Sequence, residues 1–357
     1  MGNRQEDLLM ELTNSYLEEG FPFRGRKRKK MEEFLEKNGL TYDAEIVYSV
    51  LLRREDGEII GCGSRHENIL KCIAVDASYQ GEGLLPRIVT QLVKQAYSCG
   101  ISHLFLFTKP EYQVIFGDMG FYPITGTDSM LLLENRKDGI SLYLEEELAR
   151  CPVVQGKEAG AIVMNANPFT FGHRYLTETA AKACALLHVF VLSADASEFP
   201  ANVRLRLVRE GCQDLKNVIV HGSSEYLISH ATFPDYFLKD KAGASDKAAE
   251  LDLKIFGDYF RKAFHITKRF VGEEPFSPVT RAYNEQMKQT LPAYGIEVVE
   301  IPRKTSGDTV ISATLVREKF LAGDTEAVRP LVPDTTYRYL VSDAGTALRK
   351  QLLERQS

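Results

Sequence analysis

Thr170 and His173 lie three residues apart, where an apolar run gives way to a helical pattern. The run ends near Asn165 and predicts a buried strand, and the helix should begin near Gly172. A helix N-terminus carries unpaired backbone N–H groups and a partial positive charge, so it attracts phosphate. Gly172 leaves room for a phosphate, and His173 can donate a hydrogen bond to charge that develops on phosphorus oxygens. The segment therefore predicts a phosphate-binding loop.

A second segment of this kind reads Ile311-Ser-Ala-Thr-Leu-Val-Arg317. Ser312 suits the N-cap of a helix, with Thr314 in the first turn and Arg317 one turn further on. Two hydroxyls and a guanidinium at a helix start suit the β- and γ-phosphates of a nucleotide. Read alone, each segment also fits an ordinary capped helix, and their joint occurrence favours a nucleotide site.

Together the two segments resemble the motifs (H/T)xGH and ISSTxxR of the HxGH nucleotidyltransferase superfamily, with Ala313 in place of the second serine. The resemblance implies that a nucleophile attacks the α-phosphate of ATP and expels pyrophosphate, with Mg²⁺ on the phosphates. It implies catalytic roles for His173, Thr170 and Arg317. The residues that we expect to bind nucleotide lie at strand ends and helix starts: Asn165, Asn167, Pro168, Phe169, Gly172, Gly272, Glu273, Ser312 and Thr314.

Arg204 is a further candidate for nucleotide contact, because it follows Phe199-Pro200 near the start of a predicted helix. The alternative for Arg204 and Arg206 is an exposed helix face.

The first half of the chain carries a different glycine-bearing loop, Gln80-Gly-Glu-Gly83. A predicted hairpin over residues 44–65 and a strand over 69–75 precede it, and a helix follows. This order resembles the GNAT acetyltransferase fold, whose loop (Q/R)xxGx(G/A) holds the pyrophosphate of coenzyme A on backbone N–H groups. The resemblance implies that Gln80, Gly81 and Gly83 bind a pantetheine or coenzyme-A-like group. Leu85 in place of a small residue and the charge of Glu82 oppose tight binding of ordinary acetyl-CoA.

The elements that must position these residues divide the chain into two predicted domains. Strands and helices alternate from residue 161 to 321, which predicts a doubly wound parallel sheet with ligands beyond the carboxyl ends of its strands. We therefore expect an α/β protein, with a GNAT-like α+β domain over residues 1–145. A Rossmann-like nucleotidyltransferase domain should follow over 146–357. Residues 5–37 read as helices, and the basic run at residues 24–30 is either a solvated face or a docking patch for an acidic partner.

Composition excludes several classes of function. The net charge of -5 argues against electrostatic binding of nucleic acid or an anionic membrane over a broad surface. The chain has no apolar run of the ~18 residues that a membrane span needs, and its start does not resemble a signal peptide. Six scattered cysteines without a CxxC pair, and histidines without ligand spacing, predict no disulfide frame and no metal site. We therefore expect a cytoplasmic protein.

The combination of the two domains resembles the citrate lyase ligase family, and the likeness extends to residues 165–174, 272–275 and 278–284. The resemblance implies that ATP and acetate give acetyl-AMP and pyrophosphate. The acetyl group then passes to the thiol of phosphoribosyl-dephospho-CoA, the prosthetic group on the acyl carrier subunit of citrate lyase.

Three alternatives keep part of this interpretation. A coenzyme-type adenylyltransferase would act on a phosphorylated acceptor in place of acetate. An acetyl-CoA-dependent acetyltransferase would transfer acetyl groups without ATP. A nucleotide-sensing module would bind ATP without turnover.

Overall fold

A seven-stranded mixed sheet and a five-stranded parallel sheet organise the two halves of the chain. The structure is a computed structural model. It describes residues 15–151, 158–192, 197–222, 224, 226–227, 244–275, 277–303, 305–306 and 309–356. The chain separates into unit 1, residues 1–139 with 234–247, and unit 2, residues 140–233 with 248–357.

The sheet of unit 1 has the strand order β1-β2-β3-β4-β5-β7-β6. Neighbouring strands are antiparallel except for the parallel pair β4–β5. The strands are β1 (Ser15–Gly20), β2 (Tyr48–Arg54), β3 (Ile59–His66), β4 (Ile69–Val75), β5 (Phe105–Thr108), β6 (Tyr122–Gly126) and β7 (Leu131–Glu134). The helices are α1 (Gly25–Lys37), α2 (Leu84–Ser98) and α3 (Gln113–Gly117).

The helix α2 lies close against β3 because two glycines face it. A Cβ added to Gly61 would lie 2.7 Å from the Ile88 side chain, and one added to Gly63 would lie 2.6 Å from it. Ile88, Leu92 and Ala96 are fully buried on one face of α2. The helix therefore covers the sheet at a distance that only glycine permits.

The prediction of helices over residues 5–37 is wrong for residues 15–20. This segment forms β1, which pairs antiparallel with β2 so that Leu17 lies opposite Leu52. Pairing with the edge of a sheet supplies backbone hydrogen bonds that outweigh a weak helical periodicity. The helix begins only at Gly25, and residues 5–14 lie outside the described residues.

Unit 2 is built on the predicted parallel sheet, in the order β10-β9-β8-β11-β12. Its strands are β8 (Ala159–Met164), β9 (Leu186–Val191), β10 (Val218–His221), β11 (Ile266–Gly272) and β12 (Glu297–Ile301). The strand order changes direction between β8 and β11, which is where doubly wound sheets open a crevice for ligands. A small antiparallel pair, β13 (Thr305–Ser306) and β14 (Thr309–Val310), follows.

From Gly139 onward the chain contains both helices that the sequence predicted and helices that it missed. They are α4 (Gly139–Ala149), α5 (Phe171–Lys182), α6 (Ala201–Cys212), α7 (Ala244–Ile255), α8 (Arg261–Phe264), α9 (Pro278–Thr290), α10 (Ala313–Ala322), α11 (Thr325–Val328), α12 (Asp334–Leu340) and α13 (Asp343–Gln356). A π-helical segment, Phe256–Phe260, joins α7 to α8. The missed helices α12 and α13 place Leu340, Leu348 and Leu352 in the same core as Phe199 and Phe320.

The compact units divide between Gly139 and Ile140. The domain boundary that we predicted between residues 145 and 146 falls inside α4, and the assignment of functions to residues 1–145 and 146–357 stays a prediction. All six cysteines are free thiols. Among the described helices, none combines the length and the apolar character that a bilayer crossing requires.

We expect Gly63→Ala to destabilise unit 1 by about 1–3 kcal/mol, because its Cβ would overlap Ile88 and Leu92. The hydrogen-exchange rates of the β3 and α2 amides measure the stability of this unit directly. Gly117→Ala is the control: nothing lies within 4 Å of its added Cβ, so it should leave exchange unchanged or slow it. Equal protection in both variants would contradict the packing argument.

Candidate active site

Thr170 and His173 hold each other through reciprocal hydrogen bonds at the start of α5. Thr170 is the N-cap, and its hydroxyl accepts the His173 backbone N–H at 3.3 Å. The Thr170 backbone N–H in turn donates to Nδ1 of His173 at 3.1 Å, and the hydroxyl lies 2.9 Å from the same nitrogen. This is a capping box in which histidine replaces the usual Glu or Gln. The cap therefore fixes the orientation of the imidazole as well as the helix start.

The same hydrogen bonds assign the tautomer of His173. Because Nδ1 accepts a backbone N–H, the proton of the neutral ring belongs on Nε2. Loss of hydration in the crowded site lowers the pKa of His173 to about 4, and the positive charge of Arg303 contributes to this shift. At neutral pH the side chain is thus an uncharged imidazole that presents Nε2–H as a hydrogen-bond donor.

Phe169 supports the imidazole from within the core. Its ring stacks on His173 with centroids 5.8 Å apart and planes inclined by 17°. The residue is fully buried, and a Cβ added to Gly211 would lie 2.5 Å from the Phe169 ring. The Phe169 side chain therefore positions His173.

Arg317 reaches from α10 to the loop that follows β8. Its Nη1 donates to the Asn167 carbonyl at 2.8 Å, and its Nε lies 3.0 Å from a Glu198 carboxylate oxygen. The Asn167 amide donates to the other oxygen of Glu198. Ser312 caps α10 by accepting the Leu315 N–H at 3.1 Å, as the sequence predicted.

The two motif segments are in contact. A Cβ added to Gly172 would lie 3.1 Å from the Ile311 carbonyl oxygen and 3.4 Å from the Thr170 hydroxyl. Gly172 thus allows the start of α5 to approach the segment that leads into α10. Together with the bond from Arg317 to Asn167, this contact brings the predicted pair of helix starts to one edge of the sheet.

Arg303 is a site residue that the sequence analysis missed. It follows β12, and its Nε donates to the Glu273 carbonyl at 2.7 Å while the guanidinium also binds the Glu274 carboxylate. Its charge acts on the pKa of His173. The available signal was its place just after a strand of the predicted parallel sheet, where loops carry the chemistry.

β11 ends at Gly272, and Glu273 follows it directly. The Glu273 N–H donates to the Ile301 carbonyl at 2.9 Å, and the Gly272 carbonyl accepts the Asn284 amide at 3.1 Å. No atom lies within 4 Å of a Cβ added to Gly272 in the described part of the chain. This side of the site is therefore open.

Arg204 has a structural role that neither interpretation of the sequence anticipated. It is fully buried, so it is no exposed helix face and has no surface for a nucleotide. Its guanidinium donates to the carbonyl oxygens of Phe199, Asn165 and Leu192 at 2.6–2.9 Å. It thereby ties together loops that follow β8 and β9.

The remaining predicted residues differ in exposure. The buried ones are Asn167, Pro168, Phe169 and Thr170; the partly exposed ones are Gly172, His173, Gly272, Ser312 and Arg317; and the exposed ones are Asn165, Glu273 and Thr314. Contact between these residues and a nucleotide stays a prediction.

Unit 1 contains a cavity of about 700 Å³ beside its glycine-bearing loop. The parallel strands β4 and β5 pair at Ile69–Leu70 with Phe105–Leu106, and no further pairing joins them although both are fully described. The strands diverge beyond this point, and residues 73–75 and 106–109 line the opening. The cavity is thus a consequence of the split between the two strands.

The predicted residues Gln80, Gly81 and Gly83 line this cavity. Gly81 and Gly83 have φ angles of 89° and 73°, a conformation that favours glycine. Within the described structure no atom lies within 4 Å of a Cβ added to either glycine. Leu85, the departure from the GNAT pattern, also lines the cavity.

The basic run at residues 24–30 opens α1 and is partly neutralised by the unit's own carboxylates. Lys27 lies 2.5 Å from Glu18, and Arg28 lies 2.8 Å from Glu32. Docking of an acidic partner on this run stays a prediction.

Comparison with known proteins identifies the family. The model of the citrate lyase ligase C-terminal domain matches residues 159–340, and that of the acetyltransferase (GNAT) family matches residues 9–114. These matches confirm the predicted α/β class with an N-terminal GNAT domain.

Over 321 residues the chain is 41% identical to a citrate (pro-3S)-lyase ligase from Klebsiella pneumoniae, covering 88% of this chain and 93% of that relative. It is equally similar, at 41% identity over 321 and 322 residues, to those of Haemophilus influenzae and Escherichia coli, with 95% and 90% of the relatives covered. The chain belongs to the citrate lyase ligase family.

Proposed function

We propose that this protein is an ATP-dependent acid–thiol ligase that acetylates the acyl carrier subunit of citrate lyase. The acceptor is the thiol of the carrier's phosphoribosyl-dephospho-CoA group, and the activated intermediate is acetyl-AMP. The observation that supports this best is His173, held by Thr170 as a neutral Nε2–H donor beside the Arg317 helix start in a chain of this family.

In the first step an acetate oxygen attacks the α-phosphorus of ATP. The new O–P bond forms as the bond to pyrophosphate breaks, and negative charge grows on the phosphorus oxygens. A carboxylate is already a nucleophile, so no general base is required. Nε2–H of His173 stabilises the developing charge, and a preorganised donor of this kind loses little energy to reorganisation.

Arg317 and Arg303 supply the positive charge that pyrophosphate needs as a leaving group. Arg317 is oriented by Glu198 and by the Asn167 carbonyl, and Arg303 by Glu273 and Glu274. Guanidinium groups held in this way bind phosphate oxygens in fixed geometry. We expect Mg²⁺ to arrive on the ATP phosphates, with exposed carboxylates such as Glu273 as its available hard oxygen ligands.

In the second step the thiol attacks the carbonyl carbon of acetyl-AMP. A C–S bond forms, the C–O bond to phosphate breaks, AMP leaves, and the thiol proton passes to solvent. We assign the binding of the pantetheine arm to the cavity of unit 1. Ile73, Leu84 and Leu85 give it apolar walls, and the loop with Gly81 and Gly83 presents backbone N–H groups at the start of α2.

The His173→Ala variant should lower acetate-dependent exchange of labelled pyrophosphate into ATP by roughly 10²–10³-fold, the range for one charge-stabilising donor. Circular dichroism should show that the variant is folded. His265→Asn is the matched control, since His265 is exposed and its φ of 52° is one that Asn tolerates.

Exchange that is unchanged in His173→Ala would remove His173 from the mechanism. Exchange that requires a phosphorylated acceptor in place of acetate would instead identify a coenzyme-type adenylyltransferase.

The pH dependence follows from the lowered pKa of His173, about 4 against an ordinary 6.5. Protonation puts a proton on Nδ1, which can then no longer accept the Thr170 N–H that orients the ring. The contribution of His173 is therefore complete above about pH 5 and is lost as the pH falls through 4. Protonation also costs folding stability below pH 6.5, because the unfolded chain takes up that proton more readily. An NMR titration of the His173 ring measures the midpoint directly. A midpoint near 6.5, with a matching fall in exchange, would contradict the assigned environment.

The Gly83→Trp variant should lose acetylation of the carrier thiol and keep acetate-dependent pyrophosphate exchange, because the indole would fill the cavity of unit 1. Gly57→Trp is the control: Gly57 has a similar φ of 87° and open surroundings, and it lies outside the cavity lining. Loss of both activities, or of neither, in Gly83→Trp would refute the assignment of this cavity to the pantetheine arm.

A further inference from the structure

A chain of polar side chains is buried in unit 2, on elements to which the proposed reaction assigns no role. The Glu147 carboxylate lies 2.8 Å from Nδ1 of His221, and Nε2 of His221 lies 2.9 Å from Nδ1 of His188. Cys151 completes the group: its sulfur and one nitrogen of each histidine all lie within 4.8 Å of one another. Both histidines are almost fully buried.

The fold brings these residues together from three separate elements. His188 lies on β9 and His221 at the end of β10. His188 is paired with Ile219, two residues before His221, so the two imidazoles project from the same face of the sheet. Glu147 lies in the last turn of α4, and Cys151 follows one turn later with its thiol donating to the Glu147 carbonyl at 3.3 Å.

We propose that Cys151, His188 and His221 bind a divalent metal ion of borderline softness, with Zn²⁺ as the expected ion. Thiolate sulfur and imidazole nitrogen are the donors that Zn²⁺ prefers. Hard cations such as Mg²⁺ and Ca²⁺ favour carboxylate and carbonyl oxygens.

The contact from Glu147 to His221 is the arrangement expected around a metal-binding imidazole. A carboxylate that accepts the Nδ1 proton leaves Nε2 deprotonated and directed at the metal. Nε2 of His221 faces Nδ1 of His188, so both nitrogens are directed at a common point. The ion takes the place of the hydrogen between them once that proton moves to the other nitrogen of His188, and the thiol releases its proton to solvent.

The distances require only a small adjustment. Bonds of about 2.0–2.3 Å in tetrahedral geometry place ligand atoms about 3.3–3.8 Å apart. The two nitrogens, at 2.9 Å, must separate by a few tenths of an ångström. The sulfur lies within 4.8 Å of one nitrogen of each imidazole, so it must move closer to bind the same ion, and Cys151 lies beyond the end of α4. A fourth position remains for water.

The surroundings favour a bound ion whose charge is balanced. The rings of Phe190 and Phe264 lie 4.6 and 5.1 Å from the His221 ring, and Phe264 lies 4.8 Å from His188. In such an apolar cage an isolated charge is costly. The Cys151 thiolate and the Glu147 carboxylate oppose the charge of Zn²⁺, and the other oxygen of Glu147 also pairs with the exposed Arg150 at 2.6 Å.

The ion would fasten the end of α4 to β10, the edge strand of the parallel sheet. Both β9 and β10 would then be bound to the segment that precedes β8. This is a structural role, and it is independent of the chemistry proposed at His173.

Metal analysis of the full-length protein tests the proposal. After incubation with ZnSO₄ and removal of free metal, we expect about one zinc ion per chain. With CoCl₂ in place of zinc, the wild type should show thiolate-to-cobalt charge-transfer absorption. Cys151→Ser should lose this absorption, and His221→Ala should lose most of the retained metal.

Cys184→Ser is the matched control, because Cys184 is also half-buried and also donates to the carbonyl four residues earlier, at 3.2 Å. It should keep both the zinc and the cobalt spectrum. Glu147→Gln should weaken zinc binding by about 10–100-fold, as loss of an outer carboxylate does at other metal-bound histidines.

The wild-type cobalt spectrum decides the question even if a histidine variant fails to fold. Absence of the thiolate band in the wild type overturns the proposal. So does a band, or a zinc content, that survives in Cys151→Ser at the level of Cys184→Ser.

Discussion

The reciprocal bond between Thr170 and His173 is the constraint on which the proposed chemistry depends. One pair of residues stabilises the start of α5, where a side-chain cap contributes about 0.5–2 kcal/mol, and directs the imidazole. The backbone N–H at Nδ1 leaves only Nε2 to face a ligand, and the lowered pKa keeps the ring uncharged. A neutral donor fits a reaction whose nucleophile is already an anion, since the site needs stabilisation of phosphate charge and no proton acceptor.

The local sequence pattern was sufficient to predict the elements whose conformation depends on neighbouring residues. The alternation of apolar strands and helices predicted the parallel sheet β8–β12, and the pattern over residues 44–65 predicted the hairpin of β2 and β3. Residues 15–20 were mistaken for helix because their strand conformation depends on pairing with β2, a contact that no local pattern records. The cavity of unit 1 was likewise not predictable from local patterns, since it arises where β4 and β5 stop pairing.

The residues of the candidate site also divide into those that local motifs predicted and those that only the folded chain brings together. Thr170, His173 and Arg317 were recognisable from motif spacing at helix starts, and the structure brings their segments into contact. Arg303 and Arg204 have no motif, and their roles follow from loops that converge only in the folded chain. Cysteine and histidine residues 33 to 37 positions apart likewise carry no metal signature in the sequence. They become a ligand set only when β9, β10 and the end of α4 are packed together.

In the proposed reaction the two units would bind phosphate at helix starts by different means. In unit 2 the starts of α5 and α10 are capped by Thr170 and Ser312, so part of their N–H groups is already bonded within the chain. Phosphate binding there would depend on side chains such as His173 and Arg317, which can stabilise charge that develops on the phosphate during the reaction. In unit 1 the N-cap of α2 is Gly83, and no described side chain caps it. Pro86 has no N–H, so the N–H groups of Leu84 and Leu85 are those that this first turn offers a ligand. We expect them to favour stable holding of a phosphate on the pantetheine arm over stabilisation of a transition state. The difference in capping therefore supports adenylation in unit 2 and binding of the acceptor arm in unit 1.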